Sequence, residues 1–336
     1  MRLPLSVHTA YQDLLEAHRM RDVKTIAGSP FLKELPQGKY WYARQRIGDK
    51  PIDRYIGPDS EDLRQRIARM REDIEDDKRF ERHCALLVAQ LRAAGLATVD
   101  RQTGSILNAM ARVGVFRLGG TLVGTHAFRL YGAELGFAFS GTLAVTQDVD
   151  IAAFENLKLA IDDPVDPSLA ETFKSLSLEP APGPDPKGRS TRWRLKGGGA
   201  MVDFLAPRMQ SKSEIVRLEP LNVYAQTLPF LNFLIAEPIP AVALYRSGVL
   251  VQVPKPERYA VHKLIVAQRR TGPGLAKVAK DLAQAETLVR VLVEDRPQEL
   301  AIAYEIALNS GMKWREAITA SLKQRPEINR LLGEIT

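Results

Sequence analysis

Three aspartates carry the densest chemical signal in the chain. Asp148 and Asp150 stand two apart in Thr-Gln-Asp-Val-Asp-Ile-Ala, and Asp203 lies in Met-Val-Asp-Phe-Leu. Residues two apart in a strand share a face, so Asp148 and Asp150 project together while Val149 and Ile151 point into the core. Two carboxylates held that close raise one pKa of the pair unless a cation neutralises them. Hard oxygen donors with no neighbouring His or Cys favour Mg²⁺ or Mn²⁺. Asp203 lies between apolar neighbours in an expected central strand, where an unpaired charge is costly. An isolated Asp-x-Asp reads more simply as a turn cap beside a solvated side chain. The third strand aspartate and a glycine turn upstream shift the reading to a metal site for nucleotide chemistry.

That turn is Leu122-Val123-Gly124-Thr125-His126-Ala127-Phe128, an apolar strand passing through Gly-Thr into a helix. A glycine there lets a phosphate approach the backbone, and the amides of the helix start form an anion site. The spacing Gly119-x4-Gly124-Thr125 imitates a phosphate-binding P-loop, but Thr125 stands where that loop needs lysine. Gly197-Gly198-Gly199 does not open a helix after a strand, so a dinucleotide-binding fold is unsupported. His126 and His262 read as local hydrogen-bonding residues, since metal histidines rarely come alone.

The elements that must position these residues follow from periodicity. A short helix over about Ala10–Arg21 precedes a hairpin of Gly38–Gly57 turning at Gly48-Asp49-Lys50. Alternation puts Tyr40, Tyr42, Arg44 and Arg46 on one face and Trp41, Ala43 and Gln45 on the other. Aromatics interleaved with arginine can stack on bases and grip phosphates. Two arginines are few for that role, which favours a small sheet that packs Trp41 inward and solvates its arginines. A long helix follows over Glu61–Ala94, capped by Asp59 or Ser60. From Gly104 helices and strands alternate: a helix to Val113, a strand over Val115–Val123, a helix over Thr125–Leu135 and the strand of Asp148 and Asp150. A helix near Pro167–Ser175 and a Pro/Gly loop over Pro180–Gly188 come next. The strands Thr191–Leu195 and Ala200–Leu205 flank the glycine turn as a hairpin, and Val249–Val253 forms a last strand. Helices fill the remainder, the first starting at Pro256, a favourable first helical position.

In that helix Tyr259, Lys263 and Arg270 share one face. Lys263 is either a point-charge clamp for a triphosphate or an exposed surface lysine. Gly-Thr at a strand-to-helix turn, Asp-x-Asp on the next strand and a later strand aspartate together resemble the DNA polymerase β-type nucleotidyltransferase superfamily. Pro256–Leu264 with Lys263, and then Lys280-Asp281-Leu282, resemble motifs of AbiE-type abortive-infection and related toxin nucleotidyltransferases. The resemblance covers about residues 104–293 and leaves the first hundred unaccounted for. The sequence departs from the usual pattern by carrying Thr125 for serine, which keeps the hydroxyl. A long gap before Asp148 also implies an extra loop around Gly136–Thr146.

The resemblance implies an α+β fold with a mixed sheet and flanking helices. A helical and hairpin region occupies residues 1–100, the nucleotidyltransferase core 101–255 and a helical domain 256–336. It implies two Mg²⁺ or Mn²⁺ ions held by Asp148, Asp150 and Asp203, and an NTP whose β- and γ-phosphates meet Gly124 and Thr125. Lys263, Lys280 and Asp281 complete the nucleotide site. The acceptor hydroxyl attacks the α-phosphate and pyrophosphate leaves, with Asp203 helping to deprotonate the acceptor. An RNA end, particularly of tRNA, is the preferred acceptor, in a toxin with an antitoxin or other protein partner. Protein nucleotidylylation (AMPylation-like) and a catalytically inactive binding module are the competing readings.

The bulk composition sets the outer bounds. Forty-five per cent apolar and 26% charged residues allow ordinary buried cores without staples. Cys84 is the only cysteine, so no intrachain disulfide forms, in keeping with a reducing compartment. Neither a signal-peptide core at the N-terminus nor a spanning segment over Leu228–Tyr245 is found, so the expected location is cytoplasmic. A net charge of +7 favours anionic partners without choosing among them.

Overall fold

The structure is a computed structural model that describes residues 1–20, 29–35, 38–47, 50–139, 148–155, 168–183, 185–208 and 213–335. Most of the loop expected around Gly136–Thr146, residues 140–146, lies outside them. The chain opens with α1 (Leu5–Met20), followed by the antiparallel strands β1 (Ser29–Leu35), β2 (Gly38–Ile47) and β3 (Lys50–Pro58). The 33-residue helix α2 (Glu61–Ala93) comes next. The Ser60 hydroxyl caps it by accepting from Leu63 N at 3.2 Å. Trp41 turns inward onto Leu63 and Ile67 of α2, and its indole N–H donates to Asp59 at 2.9 Å. The hairpin and the inward Trp41 match expectation. Strand β1 was not expected.

The central part of the chain runs through α3 (Arg101–Arg112), β4 (Thr121–Val123), α4 (Gly124–Leu135), β5 (Asp148–Ala152), α5 (Leu169–Ser175), β6 (Leu178–Pro180), β7 (Arg192–Leu195), β8 (Met201–Pro207), β9 (Ile215–Leu218) and β10 (Val223–Leu228). Among the described residues its strands form one mixed, seven-stranded sheet, with the path β4-β5-β8-β10-β9. Strands β5 and β8 are parallel, and β4 runs antiparallel to β5. On its other side β8 pairs first with β7, over Met201–Asp203, and then with β10, over Leu205–Pro207. The strand expected over Val115–Val123 is confined to Thr121–Val123. Gly114 and Gly119, at φ +92 and +88, curl the earlier stretch into turns that still bury Val115, Phe116 and Leu118.

Beyond α6 (Leu231–Leu234), β11 (Ile239–Ala243) and β12 (Val249–Val253) form a separate two-stranded ribbon. The helices α7 (Pro256–Ala267), α8 (Val278–Asp295), α9 (Pro297–Asn309), α10 (Met312–Gln324) and α11 (Pro326–Gly333) complete the chain. One large core joins the mixed sheet to α3, α4 and the C-terminal helices. A second core packs α1 and the C-terminal half of α2, through Tyr11, Leu14, Cys84 and Leu91, against Ala133, Val242 and Leu244. No described helix is long and apolar enough to cross a membrane.

Candidate active site

Register brings the three aspartates to one place. Asp150 on β5 pairs with Asp203 on β8, while Asp148 pairs with Met201. On the other side of β5, Asp150 pairs with Val123, the residue before the glycine turn. Val149 and Ile151 are fully buried in the opposite face. Asp150 therefore sits between the turn, Asp148 and Asp203. Loss of hydration pushes its carboxyl up to about 7, with the neighbouring carboxylates of Asp203 and Asp148 adding to the rise. Lys263 and the exposed Lys277 pull in the opposite direction. Sequence reasoning passed over Lys277.

Gly124 begins α4 at φ +67, and a Cβ built there would lie 2.4 Å from Asp150 Oδ2. Both the backbone conformation and the space thus require glycine. Thr125 follows it in the first turn of the twelve-residue helix, whose unpaired amides and positive end suit an anion. The Tyr259 hydroxyl from α7 lies 2.9 Å from Gly124 O and 3.1 Å from Gln284 Oε1. It donates to one of them, and Gln284, turned about its amide, can donate back. The glycine turn is thereby tied to α7 and α8.

Lys263 is buried, which removes the surface-lysine reading. Its ammonium donates to Asp281 Oδ1 at 2.6 Å, lies 5.1 Å from the centre of the Tyr259 ring, and is 9% exposed against 3% for Asp281. Arg270 donates to the other oxygen of Asp281 at 2.8 Å. Burial pulls the Lys263 ammonium below its ordinary pKa, and Asp281 opposes that pull. The structure therefore assembles Tyr259, Lys263, Arg270 and Asp281 into one network. Lys280 stands one residue away on α8, and burial and the positive charge of Lys263 lower its pKa.

One further residue appears that sequence reasoning did not place, and one expectation changes. Arg192 on β7 pairs across the sheet with Asp203, and its Nε and Nη2 donate to both carboxylate oxygens at 2.5 and 2.7 Å. His126 is 1% exposed, and both ring nitrogens are without a hydrogen-bond partner. Burial and the nearby Arg129 bring its pKa down to about 4. The expectation that His126 makes local hydrogen bonds is thus corrected: the first turn of α4 packs the ring inward.

For a divalent cation the donor chemistry is suitable: oxygen ligands, a crowded pair of like charges and a desolvated Asp150. Among the described residues, however, no group of three His, Cys, Asp or Glu side chains stands ready to hold a metal. Arg192 is one physical reason, since it takes up both oxygens of Asp203. Asp148 and Asp150 fit as a ligand pair, while the Arg192 guanidinium competes with a cation for the oxygens of Asp203. A cavity of about 360 Å³ opens beside the β7–β8 turn, lined by Glu179, Arg194 and Gly197–Met201.

Compared with known proteins, residues 101–309 match the family described as Nucleotidyltransferase. Residues 9–65 match a domain of unknown function, DUF6788. No curated protein matches the chain. Among solved structures, an antigenic nucleotidyltransferase-like protein from Paracoccidioides brasiliensis is similar at 14% identity and a TM-score of 0.44, over 70% of this chain and 94% of that one.

Proposed function

Because the chain belongs to the nucleotidyltransferase family, which matches residues 101–309, we propose that it transfers an NMP from an NTP to the hydroxyl of an RNA end. The observation that carries this reading is the register of β4, β5 and β8. It sets Asp150 beside Asp203 and directly against the Gly124 turn. Paired carboxylates and a helix-opening glycine turn beside them are the two halves of a nucleotidyl-transfer site.

In this reading Asp148 and Asp150 hold Mg²⁺ or Mn²⁺, with Asp203 joining when Arg192 lets go. Two bound ions would stabilise the attacking and leaving oxygens of an in-line displacement. The Gly124 turn and the Thr125 hydroxyl bind the β- and γ-phosphates. Lys263 contributes positive charge from below the surface, held in place by Asp281, and Lys277 and Lys280 add charge nearer the solvent. The acceptor oxygen bonds to the α-phosphorus, the bond to the bridging oxygen of the β-phosphate breaks, and pyrophosphate leaves. Asp203 takes the acceptor proton, and its pairing with Arg192 withholds that role until substrate and metal arrive.

The choice of RNA rests on the basic balance of the chain and on the likeness of the Lys263 and Lys280-Asp281 segments to toxin nucleotidyltransferases. A toxin role with an antitoxin partner rests on that likeness alone. Incubation with each α-labelled NTP, Mg²⁺ or Mn²⁺ and total RNA tests the reading. Label in RNA, lost in Asp148→Asn and Asp150→Asn, supports it. Label on the protein would move the acceptor to a side chain, and no label anywhere would make the chain a binding module.

A further inference from the structure

The three-stranded N-terminal sheet has two different faces. One closes on α2 through Trp41, which with Leu63 and Ile67 forms a small buried cluster of its own. The register of β1 against β2 sets Phe31 opposite Tyr42 and Lys33 opposite Tyr40, so these four share the other face with Arg44. There the Phe31 and Tyr42 rings stack 5.9 Å apart, Lys33 lies over Tyr42 at 5.5 Å, and Arg44 lies over Phe31 at 4.6 Å. Lys33 and Arg44 are exposed, and Phe31, Tyr40 and Tyr42 are partly so. None of the three rings enters the buried clusters formed among the described residues. With Arg and Tyr of β2 alone, the sequence favoured a merely solvated sheet. Strand β1 adds a ring and a cation to the same face.

Where the sheet is carried bears on what it binds. Ile67 of α2 belongs to the sheet's cluster, and Cys84 of the same helix belongs to the core shared with α1. At a rise of about 1.5 Å per residue, some 25 Å of helix separates them. Such a stand-off suits an extended polymer better than a small substrate. Charge selects the polymer: from Ser29 to Pro58 there are six Lys or Arg residues and three acidic ones. Asp53 pairs with Arg44 at 2.7 Å and Glu34 with Lys39 at 2.6 Å, so Lys33 and the other basic residues supply the net positive charge.

We propose that the Phe31–Tyr40–Tyr42 face of this sheet is a binding platform for single-stranded RNA, stacking bases on its rings and pairing phosphates with Lys33. Every base presents a flat face to stack, so the platform reads strandedness rather than sequence. The choice of RNA over DNA rests on the acceptor proposed above, whereas the binding itself needs neither metal nor NTP.

Fluorescence anisotropy of a labelled RNA oligomer with the full chain, in EDTA and without NTP, tests the platform. Tyr40→Ala/Tyr42→Ala should weaken binding about ten-fold or more, and Tyr40→Phe/Tyr42→Phe should bind like wild type. Circular dichroism of both variants checks that the sheet remains folded. Raising salt should weaken wild-type binding. Asp148→Asn/Asp150→Asn should bind RNA normally while failing to transfer, which separates this proposal from the catalytic reading. Unchanged affinity in the alanine variant or tighter binding of duplex RNA would each overturn it.

Discussion

The buried pair of Lys263 and Asp281 offers a prediction whose size can be worked out. Asp281→Asn keeps shape but leaves the Lys263 ammonium, 9% exposed, and Arg270 without their counter-charge. Removing one partner of a buried ion pair costs about 3–5 kcal/mol. At about 2–4 °C per kcal/mol for a unit of this size, the melting temperature should fall by roughly 6–20 °C. The pH dependence follows from Lys263, whose folded pKa lies below its ordinary 10.5 because burial outweighs Asp281. Between the two values the unfolded chain holds a proton that the native chain lacks, so Lys263 makes native stability rise with pH up to the unfolded value. Taking away Asp281 lowers the folded pKa further and widens that window. The deficit of Asp281→Asn should therefore be larger at neutral pH and shrink at alkaline pH, as the pH rises through the folded values. Lys263→Met/Asp281→Asn, with the stranded ammonium gone, should recover most of the lost stability. Thermal and urea denaturation at neutral and alkaline pH measure this. A single variant that melts like wild type, or a double variant that melts no higher than the single, would refute the coupling.

Other consequences are open to test. Gly124→Ala should keep the fold, at a cost of about 1–2 kcal/mol for its left-handed backbone, yet abolish transfer, because its Cβ would displace Asp150; denaturation and transfer assays on the same sample separate the two effects. Arg192→Ala should tighten Mn²⁺ binding several-fold in a calorimetric or paramagnetic titration by freeing both oxygens of Asp203; equal or weaker binding would show that Arg192 does not compete with metal. His126→Leu should flatten the acid limb of the stability profile. With its folded pKa near 4 against an ordinary 6.5, the native ring stays neutral while the unfolded one binds a proton, costing about 1.4 kcal/mol per pH unit between those values as pH falls. An unchanged limb in urea titrations between those pH values would show that His126 is not the group responsible.

The site was legible where local rules suffice. A two-residue period put Asp148 and Asp150 on one face, and the apolar neighbours of Asp203 marked β8 as central. The Gly-Thr turn announced itself through a glycine between a strand and a helix. What was illegible depended on packing. Lys263 and Asp281 lie eighteen residues apart and meet only because α7 and α8 pack together. Neighbouring residues on a helix point about 100° apart, so of the Lys280-Asp281 dipeptide only the aspartate reaches Lys263. Arg192 could have been found, since a hairpin centred on Gly197 and Gly198 sets it opposite Asp203. Strand β1 escaped because Pro30 and two charged residues obscure its pattern, a composition that an edge strand tolerates. The strand expected from Val115 read apolar content as extension, whereas two glycines turn those residues back into the core.

Nucleotidyl transfer itself is tested most directly by where the phosphorus goes. Wild-type protein, RNA and divalent cation should be incubated in parallel with an NTP labelled at the α-phosphorus and the same NTP labelled at the γ-phosphorus. The α-label should enter RNA with release of pyrophosphate, the γ-label should not, and Asp150→Asn should abolish incorporation. Entry of the γ-label into RNA, or undiminished α-labelling by Asp150→Asn, would contradict NMP transfer at this site.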